Sequence, residues 1–584
     1  MDLNLIKSPA DIKKLDLNEL ETLADDLRTV LLTKLSKHGG HIGPNLGFLE
    51  ATVALHYVFD SPKDKIVYDV SHQSYVHKML TGRMEAFTDP AKYDTVTGYT
   101  EPSESEHDFF TIGHTSTSVS LASGLAKARD LKGGKENIIA VIGDGSLSGG
   151  EAFEGLDYAA TLGTNFIVVV NDNEMSIAEN HGGLYADLRL LRNTKGTADV
   201  NYFRSLGFAY RYVPYGNDIR SLIKAFQEVK DYPYPVVVHL NTQKGNGFKP
   251  AEADRETFHY GGPFDLSTGA PINPYEGEGY DDIFSEHTLK MMKENPLLTV
   301  ITAGTPGVLG YTPEKRKAAG RQFVDVGIAE QQAVAMASGL AKGGARPVFG
   351  VVSSFLQRTY DQLSHDVAIN NNPAVVNIFY GTVNGMNDVS HLGWFDIALV
   401  SNIPNWVYLA PTCAEEYVAM LDWAVKQTGG PVAIRVPGVA VTHRSGDFDT
   451  DYSDTNRYKV DRKGKDVAII AAGAMYSLGE EVADALAGAG VNATLINPRF
   501  LSGLDTELLE DLKADHRVVV TLEDGVLDGG FGQKIASFYG TSDVKVRNYG
   551  IAKEFLNRYD ARQLLEASHL TSDKLTADIQ NMLK

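Results

Sequence analysis

Asp144 and Asn173 stand 29 positions apart, each just beyond an apolar run, in Ile138-Ile-Ala-Val-Ile-Gly-Asp-Gly-Ser146 and Phe166-Ile-Val-Val-Val-Asn-Asp-Asn173. Such runs read as buried strands, and Ser148 to Leu162 between them reads as a helix. The pair is then one βαβ unit whose two strand ends open on the same sheet edge. One carboxylate, one amide oxygen and a backbone carbonyl just beyond, at Met175, make an oxygen donor set for a hard cation. Mg2+ is such a cation: it keeps octahedral geometry and shares its shell with phosphate oxygens. Gly143 and Gly145 let the backbone approach a diphosphate closely. Gly-Asp-Gly alone is equally a strand-to-helix turn with an N-capping Asp; the second strand end favours the metal.

Glu330 is the next candidate, at the start of a predicted helix in Asp325-Val-Gly-Ile-Ala-Glu330-Gln-Gln. Thiamine diphosphate needs such a group. Its C2 proton is very weakly acidic in water, and an acid against the aminopyrimidine ring stabilises the imino tautomer whose nitrogen removes that proton. By itself Glu330 is also explained by the helix dipole; with Asp144 and Asn173 in the same chain, the cofactor reading is favoured.

The elements that must position these residues follow from periodicity. Leu17 to Ser36 carries a helical stripe, closed by Gly39-Gly40, and Leu46 to Tyr57 reads as a second helix. Strands are predicted at 138–142, 165–170 and 235–240, then at 298–303, 323–328, 347–352, 375–379 and 406–410, and finally at 467–472, 493–497 and 517–523. Strands alternating with helices imply parallel sheets covered on both faces, with ligands at the carboxyl ends of strands. The Gly/Pro/Ser-rich stretch 263–280 and the polar stretch 438–461 read as linkers. The expected fold is three doubly wound α/β domains in series, a thiamine diphosphate-binding fold. The expected domains are 1–285 for diphosphate and metal, 296–440 for the aminopyrimidine, and a C-terminal α/β domain at 462–584.

Composition narrows the classes of function. The 584 residues exceed what one core organises. A formal charge of −21 argues against a nucleic-acid groove. The single cysteine, Cys413, rules out an intramolecular disulfide and a cysteine-based zinc site. The start lacks a signal-peptide core, and no apolar run is long enough to span a membrane. A cytoplasmic enzyme acting on small molecules, with no nucleic acid or membrane partner, is the expectation.

Further segments carry a family resemblance: Gly40-His41, Asp69-Val-Ser-His-Gln73 with His77-Lys78, Gly113-His-Thr-Ser-Thr-Ser118, Asn171-Asp-Asn-Glu-Met-Ser-Ile177, Lys244-Gly-Asn-Gly-Phe248, Thr257-Phe-His259, Ile328-Ala-Glu-Gln331 and Phe355-Leu-Gln-Arg-Thr-Tyr-Asp-Gln362. Over almost its whole length the chain resembles the 1-deoxy-D-xylulose-5-phosphate synthase family of the transketolase superfamily. The resemblance implies thiamine diphosphate, Mg2+, a homodimer, and condensation of pyruvate with glyceraldehyde 3-phosphate with loss of CO2. It also implies roles residue by residue. Asp144, Asn173 and the Met175 carbonyl hold the metal. His72, Gly113, His114, Thr115, Gly145 and Ser146 line the cofactor together with Asn173 and Phe248, the last where the family usually has tyrosine. Glu330 faces the aminopyrimidine and Phe355 stacks on it. His41, His259 and His391 handle protons and substrate oxygens. His56 and His77 match the family as well and receive no role.

Departures cluster on the acceptor side. Val352 stands near where the family keeps a tyrosine, Tyr380 and Gly438 where it keeps arginines, and Asn387 where it keeps an aspartate four residues before His391. Losing both arginines removes a bidentate phosphate clamp, and Arg358 is the cation left near the cofactor segment. The stretch from His181 to Tyr212 is also shorter than its family counterpart. The leading expectation is decarboxylation of pyruvate and transfer of the two-carbon unit to an aldehyde, with an acceptor other than glyceraldehyde 3-phosphate. Transketolase-type transfer from a ketose and a catalytically silent paralogue stay open as alternatives.

Overall fold

The computed structural model describes every residue except Tyr275, Pro437 and Val439. The chain divides into two compact units: Met1–Glu276 with Gly327–Ala329, and Gly277–Val326 with Glu330–Lys584.

Beside a two-stranded antiparallel pairing of Gly40–His41 with Tyr260–Gly261, the first unit holds one five-stranded sheet. Its strands are β1 (Lys65–Tyr68), β2 (Ile138–Gly143), β3 (Phe166–Asp172), β4 (Ala209–Val213) and β5 (Pro235–Asn241), in the order β1-β2-β3-β5-β4 and all parallel. The central strand β3 is buried along its whole length, as an apolar run covered on both faces must be. After a short helical turn at Pro9–Ile12 come two long helices, α1 (Leu17–His38) and α2 (Gly43–Val58). A capping box of Asp16 and Glu19 starts α1, and Gly39, at φ 80°, ends it. The α2 helix is buried nearly all round. Next come α3 (Ser118–Leu131), α4 (Gly150–Ala159) and α5 (Leu184–Asn193). Where one helix was expected over 148–162, a 3-10 turn at Gly145–Ser148 precedes the shorter α4.

The second unit holds two sheets. In the first, β6 (Leu298–Thr302), β7 (Phe323–Asp325), β8 (Arg346–Val352), β9 (Val375–Phe379), β10 (Val407–Leu409) and β11 (Val432–Arg435) run in the order β10-β11-β9-β8-β6-β7, all parallel. The helix α6 (Glu330–Lys342) starts at the candidate glutamate. In the last sheet, β12 (Lys459–Arg462), β13 (Asp466–Ala471), β14 (Thr494–Asn497), β15 (His516–Val526) and β16 (Lys545–Ile551) run in the order β12-β14-β13-β15-β16, with β12 antiparallel. Backbone bonds join the two sheets into one unit: Ala410 N–H donates to the Arg499 carbonyl at 2.8 Å, and Leu501 N–H to that of Tyr408 at 2.7 Å.

The three larger sheets match the expected α/β fold and lie in two compact units. The expected boundary at 285 falls inside the helix Tyr280–Glu294. That helix packs on the second unit through Tyr280, Phe284 and Met292. The strand expected over 323–328 stops at Asp325, because Gly327 at φ 76° turns the chain.

Candidate active site

In the first unit, Asp144 follows β2 and is 1% exposed. Its side chain does not cap the following turn. Instead Oδ2 accepts from Asn180 Nδ2 at 2.7 Å, and the Asp144 N–H donates to the Asn171 carbonyl at 3.0 Å, two residues before Asn173. The two expected ligands therefore converge, as the adjacent strands require. Burial, and then the charge of Asp172, push the Asp144 carboxyl well above the usual carboxylate range, a setting in which a bound cation stabilises the ionised form.

Beside it, Asn173 Oδ1 accepts from the Met175 N–H at 3.2 Å, and Glu174 takes φ 65°, so the chain turns sharply before Met175. A Cβ at Gly143 would project into open space, while one at Gly145 would meet Ser176 Cα at 2.9 Å. Glycine is thus demanded by packing at 145, and the backbone at 143 is left open to a ligand. Lys244 donates to the Ser176 carbonyl at 2.6 Å, and burial lowers its ammonium to about 7.

No cluster of three or more His, Cys, Asp or Glu side chains among the described residues could hold a metal. The set here has one carboxylate with amide and carbonyl oxygens, which suits Mg2+ completed by phosphate oxygens. Behind it, Asp172 Oδ2 accepts from Arg192 Nη1 of α5 at 2.6 Å and lies 2.8 Å from His239 Nε2.

Asp69 joins the loops expected to line the cofactor. Fully buried, it accepts from the N–H groups of Ser116 at 2.8 Å and Ser118 at 2.9 Å, and Ser116 Oγ donates to the Ser146 carbonyl at 2.8 Å. One carboxylate thus ties the loop of His72 to that of Gly113, His114 and Thr115, and through Ser116 to Gly145 and Ser146. Val70 and Ser71 carry φ of 56° and 68°. That left-handed backbone is costly for a β-branched residue and persists only where its surroundings hold it.

Three of the expected histidines, His41, His72 and His259, gather in the same unit, while His391 lies in the other. The His41 ring lies 5.1 Å from that of His72 and 5.8 Å from that of His259, and those two are 5.2 Å apart. Burial lowers His72 to about 3 and His259 well below the histidine range, so both are neutral near pH 7. The Nδ1 atoms of His72 and His259 are buried without a hydrogen-bond partner. Such atoms are uncommon in a finished core and suit a site that takes a polar ligand. Phe248 is different: its ring packs on Phe258 and Phe264 at 5.7 Å each, inside the core.

In the second unit, Glu330 is 3% exposed and its Oε2 lies 3.5 Å from Arg358 Nη1. Burial raises its pKa and Arg358 opposes the shift. Phe355 meets His391 edge-on at 5.4 Å. His391 Nδ1 is 2.9 Å from both Asp388 Oδ1 and Ser390 Oγ. Val352 ends β8, buried. Tyr380, at φ 57°, packs on the core that includes Phe284 and Phe379. A Cβ at Gly438 would meet Tyr380 Cα at 2.9 Å and Thr382 Cγ2 at 2.6 Å, so the two replaced positions adjoin. Asn387 is exposed, and its Nδ2 donates to the Tyr559 carbonyl at 3.2 Å.

Sequence reasoning gave no role to Asp69, Asn180, Arg192 or Lys244. Asp69 and Lys244 lay within quoted motifs, so a signal was present. Asn180 and Arg192 carry no local pattern and are found only by their contacts.

Three family models match the chain. The first is described as 1-deoxy-D-xylulose-5-phosphate synthase, over residues 3–202; the others are a transketolase pyrimidine-binding domain over 279–441 and a transketolase C-terminal domain over 456–575. The 1-deoxy-D-xylulose-5-phosphate synthase of Pelotomaculum thermopropionicum is 39% identical over 611 residues, covering 98% of this chain and 96% of that one. Its counterpart from Symbiobacterium thermophilum is 40% identical over 624 residues, covering 100% and 95%. Among solved structures, a Pichia stipitis transketolase aligns over 97% of both chains at 15% identity and a TM-score of 0.44.

Proposed function

The chain belongs to the 1-deoxy-D-xylulose-5-phosphate synthase family and is a thiamine diphosphate- and Mg2+-dependent transferase, and on that premise we propose that it uses pyruvate as donor but an acceptor aldehyde that lacks the phosphate. The observation that carries this reading is the adjacency of Tyr380 and Gly438, at the two positions where the family keeps arginines. Each charge-assisted hydrogen bond to a phosphate contributes about 1.5–3 kcal/mol, and neither residue brings a cation. Arg358 Nη1 lies 3.5 Å from Glu330 Oε2, so its side chain is already directed at Glu330.

Asp144, Asn173 and the Met175 carbonyl hold Mg2+, and the loops of His72, Gly113–Thr115 and Gly145–Ser146 cradle the diphosphate. Bound there, the cofactor supplies a carbanion-stabilising carbon that lets the pyruvate carboxylate leave as CO2. Glu330 holds a proton at the aminopyrimidine ring, aided by the burial that raises its pKa. His72 and His259, kept neutral, can accept or donate a hydrogen bond without bringing a charge. His41 and His391 are the remaining candidates to move a proton to or from the acceptor oxygen. Val352, Arg358, Tyr380 and Gly438 are the candidates to border the acceptor; Asn387, exposed and bonded to the Tyr559 carbonyl, is engaged elsewhere. The finer expectations, a homodimer and a cytoplasmic location, are tested by sedimentation and by cell fractionation.

The deciding experiment compares glyceraldehyde with its 3-phosphate by kcat/KM, with pyruvate as donor and CO2 release monitored. The expected result is CO2 release with the unphosphorylated aldehyde preferred. A hundredfold preference for the phosphorylated one would reveal an anion site and overturn the acceptor reading.

A further inference from the structure

The loop that carries His391 has no regular structure between β9 and the helix Asp396–Ser401, yet it is tied down from the far end of the chain. The segment that does this is the coil 552–560, between β16 and the helix Ala561–Ala567. The Tyr559 O–H is shared between the Val383 carbonyl at 2.8 Å and that of Met386 at 3.1 Å. Arg558 N–H donates to the Asn387 carbonyl at 2.7 Å, while the Asn387 amide returns a bond to the Tyr559 carbonyl at 3.2 Å. Val389 N–H reaches Asn557 Oδ1 at 3.4 Å. The Tyr559 ring lies edge-on to the buried Trp394 at 5.1 Å, and the Trp394 carbonyl accepts from Val526 N–H of β15 at 2.9 Å. The loop is thus held at both ends, by the coil before His391 and by β15 after it.

This arrangement gives Asn387 a reason to be an amide. A carboxylate there could not donate to the Tyr559 carbonyl, and it would face that oxygen with like charge. Tyr559 is kept as a neutral donor: burial, and then the nearby Asp388, push its phenol up to about 12.

We propose that Tyr559 is a positioning residue, which holds the Val383–Met386 turn by its hydroxyl and thereby sets where His391 stands, with Asn387 as its partner in the same clamp. The proposal rests on the reading of His391 as a substrate-facing group, and its test separates the two.

Tyr559→Phe keeps the ring against Trp394 and deletes only the hydroxyl; Asn387→Ala opens the clamp from the other side. Both are assayed with pyruvate and whichever of glyceraldehyde or its 3-phosphate the wild type turns over faster. Loss of a hydrogen bond of ordinary strength predicts amide exchange about 5- to 10-fold faster over residues 383–391. Exchange in the β13 strand and the affinity for thiamine diphosphate should be unchanged. The condensation kcat should fall about 5-fold, and the double variant should lose less than the product of the single losses. Unchanged exchange over 383–391, or exchange that quickens equally across the whole unit, overturns the clamp. Faster loop exchange with wild-type condensation overturns instead the reading of His391, and with it the positioning role.

Discussion

The loops around Asp144 and the loop of residues 380–391 are both irregular and both polar, but they are held in opposite ways. In the first unit the fasteners are buried carboxylates within the fold. Asp69 takes two backbone N–H groups from a neighbouring loop, and Asp172 takes Arg192 and lies against His239. In the second unit the fastener is a coil from the end of the chain, working through an exposed asparagine and a tyrosine hydroxyl. Groups fixed by a buried charge are costly to change, because the partner left behind is buried and unpaired. Groups fixed at an exposed edge can be replaced one at a time. Asn387 is fixed at such an edge, whereas Val352 is buried at the end of β8 and Tyr380 packs on the core, so of the expected acceptor residues only Asn387 is held in this replaceable way.

The comparison breaks most sharply at Asp144. Asp144→Ala should weaken Mg2+-dependent thiamine diphosphate binding by more than the roughly 10- to 100-fold that groups outside the metal shell contribute. Calorimetry returning wild-type affinity would remove Asp144 from the metal site. Next in size is Glu330→Ala, which should bind the cofactor normally yet lose about 100- to 10,000-fold in turnover, as general acid–base groups do. The C2 proton of bound thiamine diphosphate, followed by deuterium exchange, should slow with it; an unchanged exchange rate would make Glu330 a structural residue.

A smaller effect tests the rebuilt side. Tyr380→Arg should raise kcat/KM for glyceraldehyde 3-phosphate relative to glyceraldehyde by about 10- to 100-fold, the worth of one charge-assisted bond. No change in that ratio would show that position 380 does not face the acceptor. The smallest effect is on stability. His72 and His259 have folded pKa values below their unfolded ones, so the unfolded chain binds more protons as pH falls below about 6.5. Their contribution is complete above that pH and is lost as pH drops toward the folded values, about 3 for His72. Between pH 7 and 5 the Tm should fall by a few degrees, roughly 2–4 °C per kcal/mol lost, and His259→Asn should flatten the slope. A Tm independent of pH over that range would mean that the histidines are not buried as neutral groups.

Much of the architecture was legible in the residues themselves. Buried parallel strands are written as unbroken apolar runs, and β2, β3, β5, β8 and β9 lie where those runs are. Of the labelled strands, those not foreseen are β1, β4, β11, β12 and β16. Four of these are sheet edges, where one side is open and polar residues interrupt the pattern, as in Lys545-Val-Arg-Asn. The fifth, β11, is only four residues long. Asp144, Asn173 and Glu330 could be singled out because each sits at a fixed offset from a strand or helix end, and a local pattern carries that information.

What only the tertiary structure decided is which loops are tied to which. Ser116 accepts its place from Asp69, 47 residues away, and Asn387 from Tyr559, 172 residues away. Hydrogen bonds across such separations have no period and no spacing for a sequence to display. They exist because sheet topology brings strand ends and coils side by side, and once they are adjacent each buried donor must find an acceptor. Local chemistry therefore named the groups that can hold a metal or a proton, while packing alone determined how firmly each is held and from which side.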